Sequence, residues 1–137
     1  MDRSIVWLNA ISGEKIKEET ASQNAQVHYI CAYGSNGYVF TSGWNNISCS
    51  VNNLIKYTYN NKEFSCLRGV DIDFQGNLYL CSSNSVLQIS PLGELIRTIP
   101  CEDFGISNPC AIRFKQNSNL FLLTSFDSGK VVVAEMC

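Results

Sequence analysis

One twelve-residue pattern occurs twice at a fixed interval. Gly69-Val70-Asp71-Ile72-Asp73-Phe74-Gln75-Gly76-Asn77-Leu78-Tyr79-Leu80 aligns with Ala111-Ile112-Arg113-Phe114-Lys115-Gln116-Asn117-Ser118-Asn119-Leu120-Phe121-Leu122, each position 42 residues on (69 to 111, 77 to 119). A fainter copy runs from His28-Tyr29-Ile30-Cys31-Ala32-Tyr33 through Asn36-Gly37-Tyr38-Val39-Phe40, 41 residues before the middle one (36 to 77). A chain that repeats at this interval must fold into similar units packed against their neighbours, because no unit of that size buries its own apolar face.

Each copy follows one plan: an alternating apolar segment, a polar turn centred on Gly-Asn, Ser-Asn or Ser-Asn-Gly, then an aromatic-rich segment. The alternation of Val70, Ile72 and Phe74, and of Ile112 and Phe114, predicts strands with one buried face. Leu78-Tyr79-Leu80 and Leu120-Phe121-Leu122-Leu123 are continuous apolar runs, which predict strands covered on both faces. The intervening halves repeat as hairpins. Ser85–Ser90 and Glu94–Ile99 flank Pro91-Leu92-Gly93; Asn46–Val51 and Leu54–Tyr59 flank Asn52-Asn53; Ser4–Asn9 and Glu14–Lys17 flank Ala10–Gly13. Asn tolerates positive φ and Gly adopts it freely, so both suit tight hairpin turns. Between Gly13 and Thr20 the charge pattern would also fit a helix, and the repeat register decides for strand. The expected fold is all-β: a partial β-propeller of about three four-stranded blades. Residues 1–137 form a single unit, with two outer strands in 1–19, complete blades in 28–59 and 69–99, and the inner strands of another in 110–136.

A resemblance follows from these residues. Leu67-Arg68-Gly69-Val70-Asp71-Ile72-Asp73 with Gly76-Asn77-Leu78-Tyr79-Leu80 resembles the NHL repeat. Val86–Glu94 and Asn108–Phe114, with Phe121–Ser125 and Gly129-Lys130-Val131, are similar to the C-terminal propellers of molluscan-type tripartite-motif proteins. The resemblance implies NHL-like blades and a surface that recognises a protein or an RNA. In that family, zinc-binding RING and B-box modules and a coiled coil supply ubiquitin ligation and dimerisation. This chain has neither a zinc-ligand array nor coiled-coil heptads, so the resemblance does not carry ligase activity to it. Six blades would need about 250 residues at this period and four about 165, so the chain corresponds to about half a propeller. Such a half is either a truncated product or a unit that pairs with another copy. Unpaired strand edges and uncovered apolar faces at its ends would favour self-association.

The composition narrows the chemistry. The 137 residues carry a net charge of −2, with ten Lys and Arg against twelve Asp and Glu. This balance lacks the cation excess that phosphate binding draws on. Seven cysteines contain no CxxC pair and accompany a single histidine, so no zinc or other metal site is expected. With no secretion signal or membrane span read from Ile5-Val6-Trp7-Leu8, the cysteines read as reduced thiols of a cytoplasmic protein, several of them core fillers. Asp71 and Asp73 could suggest paired carboxylates, but turn chemistry assigns Asp73 to capping the turn before Gly76-Asn77. His28 and Cys31 stand three apart, hence on opposite strand faces, too far apart for a nucleophile and its base. Neither a GxSxG elbow nor a phosphate-cradling glycine loop occurs. The chain is expected to be non-catalytic and to need no cofactor.

Binding is instead expected on one face, in the loops between blades (20–27, 60–68, 100–109) and those joining second and third strands (42–46, 82–85, 125–130). The candidates there are Trp44, Asn45, Arg68, Phe104, Asn108, Arg113, Phe126 and Lys130, since aromatic and Arg side chains anchor protein interfaces. Packing between blades is the competing role for Trp44 and Phe104, and local capping or pairing that for Arg68 and Arg113. The leading function is a non-catalytic protein-recognition module without membrane contact. The alternative is a single-stranded RNA-binding surface, which requires a basic stripe with aromatic stacking. A propeller hydrolase with an axial metal ranks third.

Overall fold

The computed structural model describes residues 4–20, 27–43, 45–60 and 66–136. Its strands form antiparallel meanders in chain order. β1 (Ser4–Leu8) and β2 (Lys15–Thr20) make a two-stranded hairpin. The second sheet contains β3 (Val27–Tyr33), β4 (Gly37–Ser42), β5 (Asn46–Val51) and β6 (Leu54–Asn60). The third contains β7 (Val70–Ile72), β8 (Leu78–Ser82), β9 (Ser85–Ile89) and β10 (Leu95–Pro100). A short 3₁₀ turn, Cys101–Phe104, leads to the fourth, of β11 (Pro109–Phe114), β12 (Leu120–Ser125) and β13 (Val131–Glu135). The segment 15–20 is strand, as the repeat register requires.

The sheets stack face to face like the leaves of a propeller. β7 lies beside both β3 and β11, so the first strands of successive sheets line the inner side. Pleating explains the continuous apolar run of β8. Leu78 and Leu80, with Leu87 and Ile89 of β9, point to the second sheet and meet Cys31, Val39, Ile47 and Cys49. Tyr79 and Cys81, with Val86, point the other way and meet Ile112, Phe121 and Leu123 of the fourth sheet. Each such buried aliphatic side chain contributes about 1.5–3 kcal/mol of transfer free energy. The second sheet is likewise covered on both sides, since Tyr38 meets Trp7 of β1 edge to face with ring centroids 5.6 Å apart. This radial stacking is the arrangement expected from the repeat, an all-β partial propeller.

Two expectations need correction. The alternation through Phe74 does not continue as strand: β7 stops at Ile72, and Phe74 stands 57% exposed in the following turn. The reason is Asp73, whose carboxylate accepts the backbone N–H of Gln75 and Asn77, both at 2.9 Å, and so bends the chain away. The run Leu120–Leu123 is also not covered on both faces. Phe121 and Leu123 are buried, but Leu122 is 46% exposed, because no described element packs over the outer side of the fourth sheet.

Close backbone approach joins the sheets. The Gly69 N–H donates to the Cys110 carbonyl at 2.8 Å, and its own carbonyl accepts from Cys81 at 2.9 Å. A Cβ at residue 69 would stand 2.5 Å from the Cys110 oxygen. On the outer side, the turn between β9 and β10 rests on the ring of Tyr57, which a Cβ at residue 93 would strike at 2.7 Å. Glycine thus stands at two places where neighbouring sheets leave no room for a side chain.

Candidate functional site

The β3, β7 and β11 starts, and the turns after β4, β8 and β12, gather at one end of the stack. Several sequence-predicted residues meet there. Arg68 precedes β7 and holds its guanidinium 4.8 Å from the centroid of the Phe126 ring, on the turn after β12. Phe126 is 69% exposed, yet its backbone N–H is fixed by the Asn108 carbonyl at 2.8 Å. Asn108 takes a left-handed φ of 46°, and its Nδ2 donates to Asp127 at 2.7 Å. Asp127 also accepts the hydroxyls of Ser125 at 2.9 Å and Ser107 at 3.3 Å. These donors, Asn108 foremost, hold its carboxyl below the usual carboxylate range. The network fixes the turn that presents Phe126.

The other candidates are placed differently. Lys130 lies at the same end and directs its ammonium to the Gly105 carbonyl at 3.5 Å. Asn45 is half-buried in the β4–β5 turn. Trp44 lies outside the described residues. Phe104 is half-buried, packed edge to face on Phe121 at 5.6 Å, a contact within the core between blades. Arg113, fifth in β11, lies toward the opposite end of its strand. Its Nη1 donates to the Val70 carbonyl at 3.2 Å and stands 3.6 Å from Asp71, tying β11 to β7. Sequence reasoning did not single out Ser107, Ser125 and Asp127; they are common turn residues, and only the fold shows that they share hydrogen bonds.

Two clefts open beside the cluster. One, of about 480 Å³, is lined by Val27, His28, Tyr29, Cys66, Leu67 and Arg68. The other, of about 370 Å³, lies along Asn84, Ser85, Pro100, Glu102, Ile106 and Ser107. The residues weighed for catalysis point elsewhere. Asp71 accepts the Phe114 N–H at 2.8 Å, and Asp73 caps its turn. Cys31 is buried in the core, and burial pushes its thiol up to about 12, whereas His28 is exposed. Among the described residues no three His, Cys, Asp or Glu side chains converge to hold a metal.

Known structures share this architecture. The β-propeller domain of Cps50 (Swd1) from Myceliophteria thermophila superposes with a TM-score of 0.74 at 10% identity, over 99% of this chain and 48% of that one. The WD40 β-propeller domain of Doa1 superposes with a TM-score of 0.67 at 16% identity, over 88% of this chain and 40% of that one. The chain therefore spans about half the length of these propellers, and the likeness is one of fold. No protein-family profile and no curated protein matches the sequence.

Proposed function

We propose that the loop end is the recognition surface of a non-catalytic protein-binding module. The observation that carries this reading is Phe126, a large aromatic ring mostly in solvent, yet held by Arg68 on one side and by the Asn108–Asp127 network beneath it. An exposed apolar anchor on a rigid base loses little conformational freedom on binding. The NHL-like repeat and the likeness to tripartite-motif propellers support the same reading, without ubiquitin ligation. We further propose that the chain is one propeller unit, with outer strands at 1–19, blades at 28–59 and 69–99, and inner strands at 110–136. The buried, unpaired thiols of Cys31, Cys49, Cys81 and Cys101 suit a cytoplasmic protein, and no described helix is long and apolar enough to cross a membrane. Exposed Leu122 and Val133 on the fourth sheet favour self-association, which the mass of the protein in solution tests.

RNA binding is the weaker alternative. Among the described residues, the cations at this end are Arg68 and Lys130, fewer than a phosphate-tracking groove uses. The test is quantitative capture of cellular partners by three proteins: wild type, Arg68→Gln with Phe126→Ala, and Arg113→Gln. Partners lost by the double variant and kept by Arg113→Gln support the proposal. Partners kept by the double variant overturn it, and a salt-sensitive shift of single-stranded RNA would favour the alternative.

A further inference from the structure

We infer that Arg68 anchors a single carboxylate, the side chain of an acidic residue in a peptide partner, within the 480 Å³ cleft between β3 and the start of β7. The inference rests on the recognition reading above and names its ligand chemistry. The Arg68 Nη1 is shielded from solvent, and no hydrogen-bond acceptor reaches it among the described residues. A buried cationic donor left in that state is unfavourable and gains strongly from an acceptor. Among the described residues Arg68 is also absent from the ion pairs, which join Lys15 to Glu18, Lys17 to Glu19 and Arg113 to Asp71. Asp127, the carboxylate on the turn that bears Phe126, is already held by Asn108, Ser125 and Ser107.

The remaining geometry suits the incoming group. Phe126 lies against the guanidinium, and a guanidinium carries several N–H donors, so contact with a ring still leaves donors for a carboxylate. Val27 and Leu67 give the cleft apolar walls for a methylene stem, and Tyr29 adds an edge. The volume falls in the range of small-ligand pockets. Charge selects the class. Among the described residues Arg68 is the one Lys or Arg lining the cleft, and Lys130 is turned to Gly105. A single fixed cation balances one negative charge, whereas a phosphoryl group, nearly dianionic, is met by several.

The test titrates the full chain, followed by NMR, with Ac-Ala-Glu-Ala-NH₂, its Gln counterpart and its phosphoserine counterpart. The Glu peptide should shift the Arg68 Nε–H and the amides of Leu67 and Tyr29 in a saturable way, with affinity at least about tenfold above that of the Gln peptide. Arg68→Gln should remove that preference, and Arg68→Lys should keep only part of it. Equal response to Glu and Gln overturns the inference, as does an unchanged preference in Arg68→Gln, or a tenfold preference for phosphoserine. If Arg68→Gln fails to fold, the wild-type contrast of Glu and Gln with Arg68→Lys decides. Loss of captured partners in Phe126→Ala without any Glu preference would leave the recognition surface standing and remove only this ligand.

Discussion

Asp73 accepts four hydrogen bonds, from the backbone of Gln75 and Asn77, the Asn77 amide at 3.0 Å and the Tyr79 hydroxyl at 3.1 Å. Tyr79 is 2% exposed, and burial together with the adjacent Asp73 carboxylate pushes its hydroxyl up to about 12. Asp73→Ala would remove one partner of that hydroxyl and leave two turn N–H groups without their acceptor, and should cost about 1–3 kcal/mol. Urea titration checks this, and an unchanged midpoint would show that water replaces the carboxylate without loss. Gly69 presents the opposite demand, for absence of a side chain. Gly69→Ala forces a Cβ onto the Cys110 carbonyl and onto the Ala111 Cα at 2.8 Å, and should lose about 1–3 kcal/mol through overpacking. A Gly69→Ala protein as stable as wild type would mean that the two sheets part without penalty.

Strands differ in how completely their neighbours cover them. Every residue of β8 and β9 is buried, between two sheets and two partner strands. β1 and β2 have one partner each, and β1 alternates between exposed and half-buried residues. Its anchor is Trp7, set between Tyr38 and the Lys17 ammonium, which stands 4.1 Å from the ring centroid. Two-stranded ribbons are marginal without such support. Amide hydrogen exchange should therefore be slowest in β8 and β9, requiring global opening, and much faster in β1 and β2 through local opening. Equal protection in the hairpin and in β8 would contradict this ranking.

Across the molecule, buried thiols couple stability to alkaline pH. Burial raises Cys31 to about 12 and Cys101 to about 11, each from 9.0, and it also raises Cys49 and Cys81. A folded-state pKa above the unfolded one means that the unfolded chain releases its protons first. The contribution is fully present below pH 9, and it declines as pH rises toward 11–12. Thermal melts should be level from pH 7 to about 8.5 and fall steeply from pH 9 upward. A melting temperature that stays constant to pH 10.5 would show that these thiols titrate in the folded protein as they do in the open chain.

The 42-residue interval, the alternation in β11 and the Asn52-Asn53 and Pro91–Gly93 turns made the strand plan legible, because local propensity and pleating act through near neighbours in the chain. The turn role of Asp73 was readable for the same reason. Tertiary structure alone decided which distant side chains meet: Arg68 against Phe126 and Arg113 turned away to Asp71 between blades, and Asp127 under Asn108 within one. It also decided that Leu122 stays exposed in a run whose composition reads as buried. Hydrophobic pattern specifies that a face seeks cover, whereas the partner at that face is set by how the sheets are arranged in space.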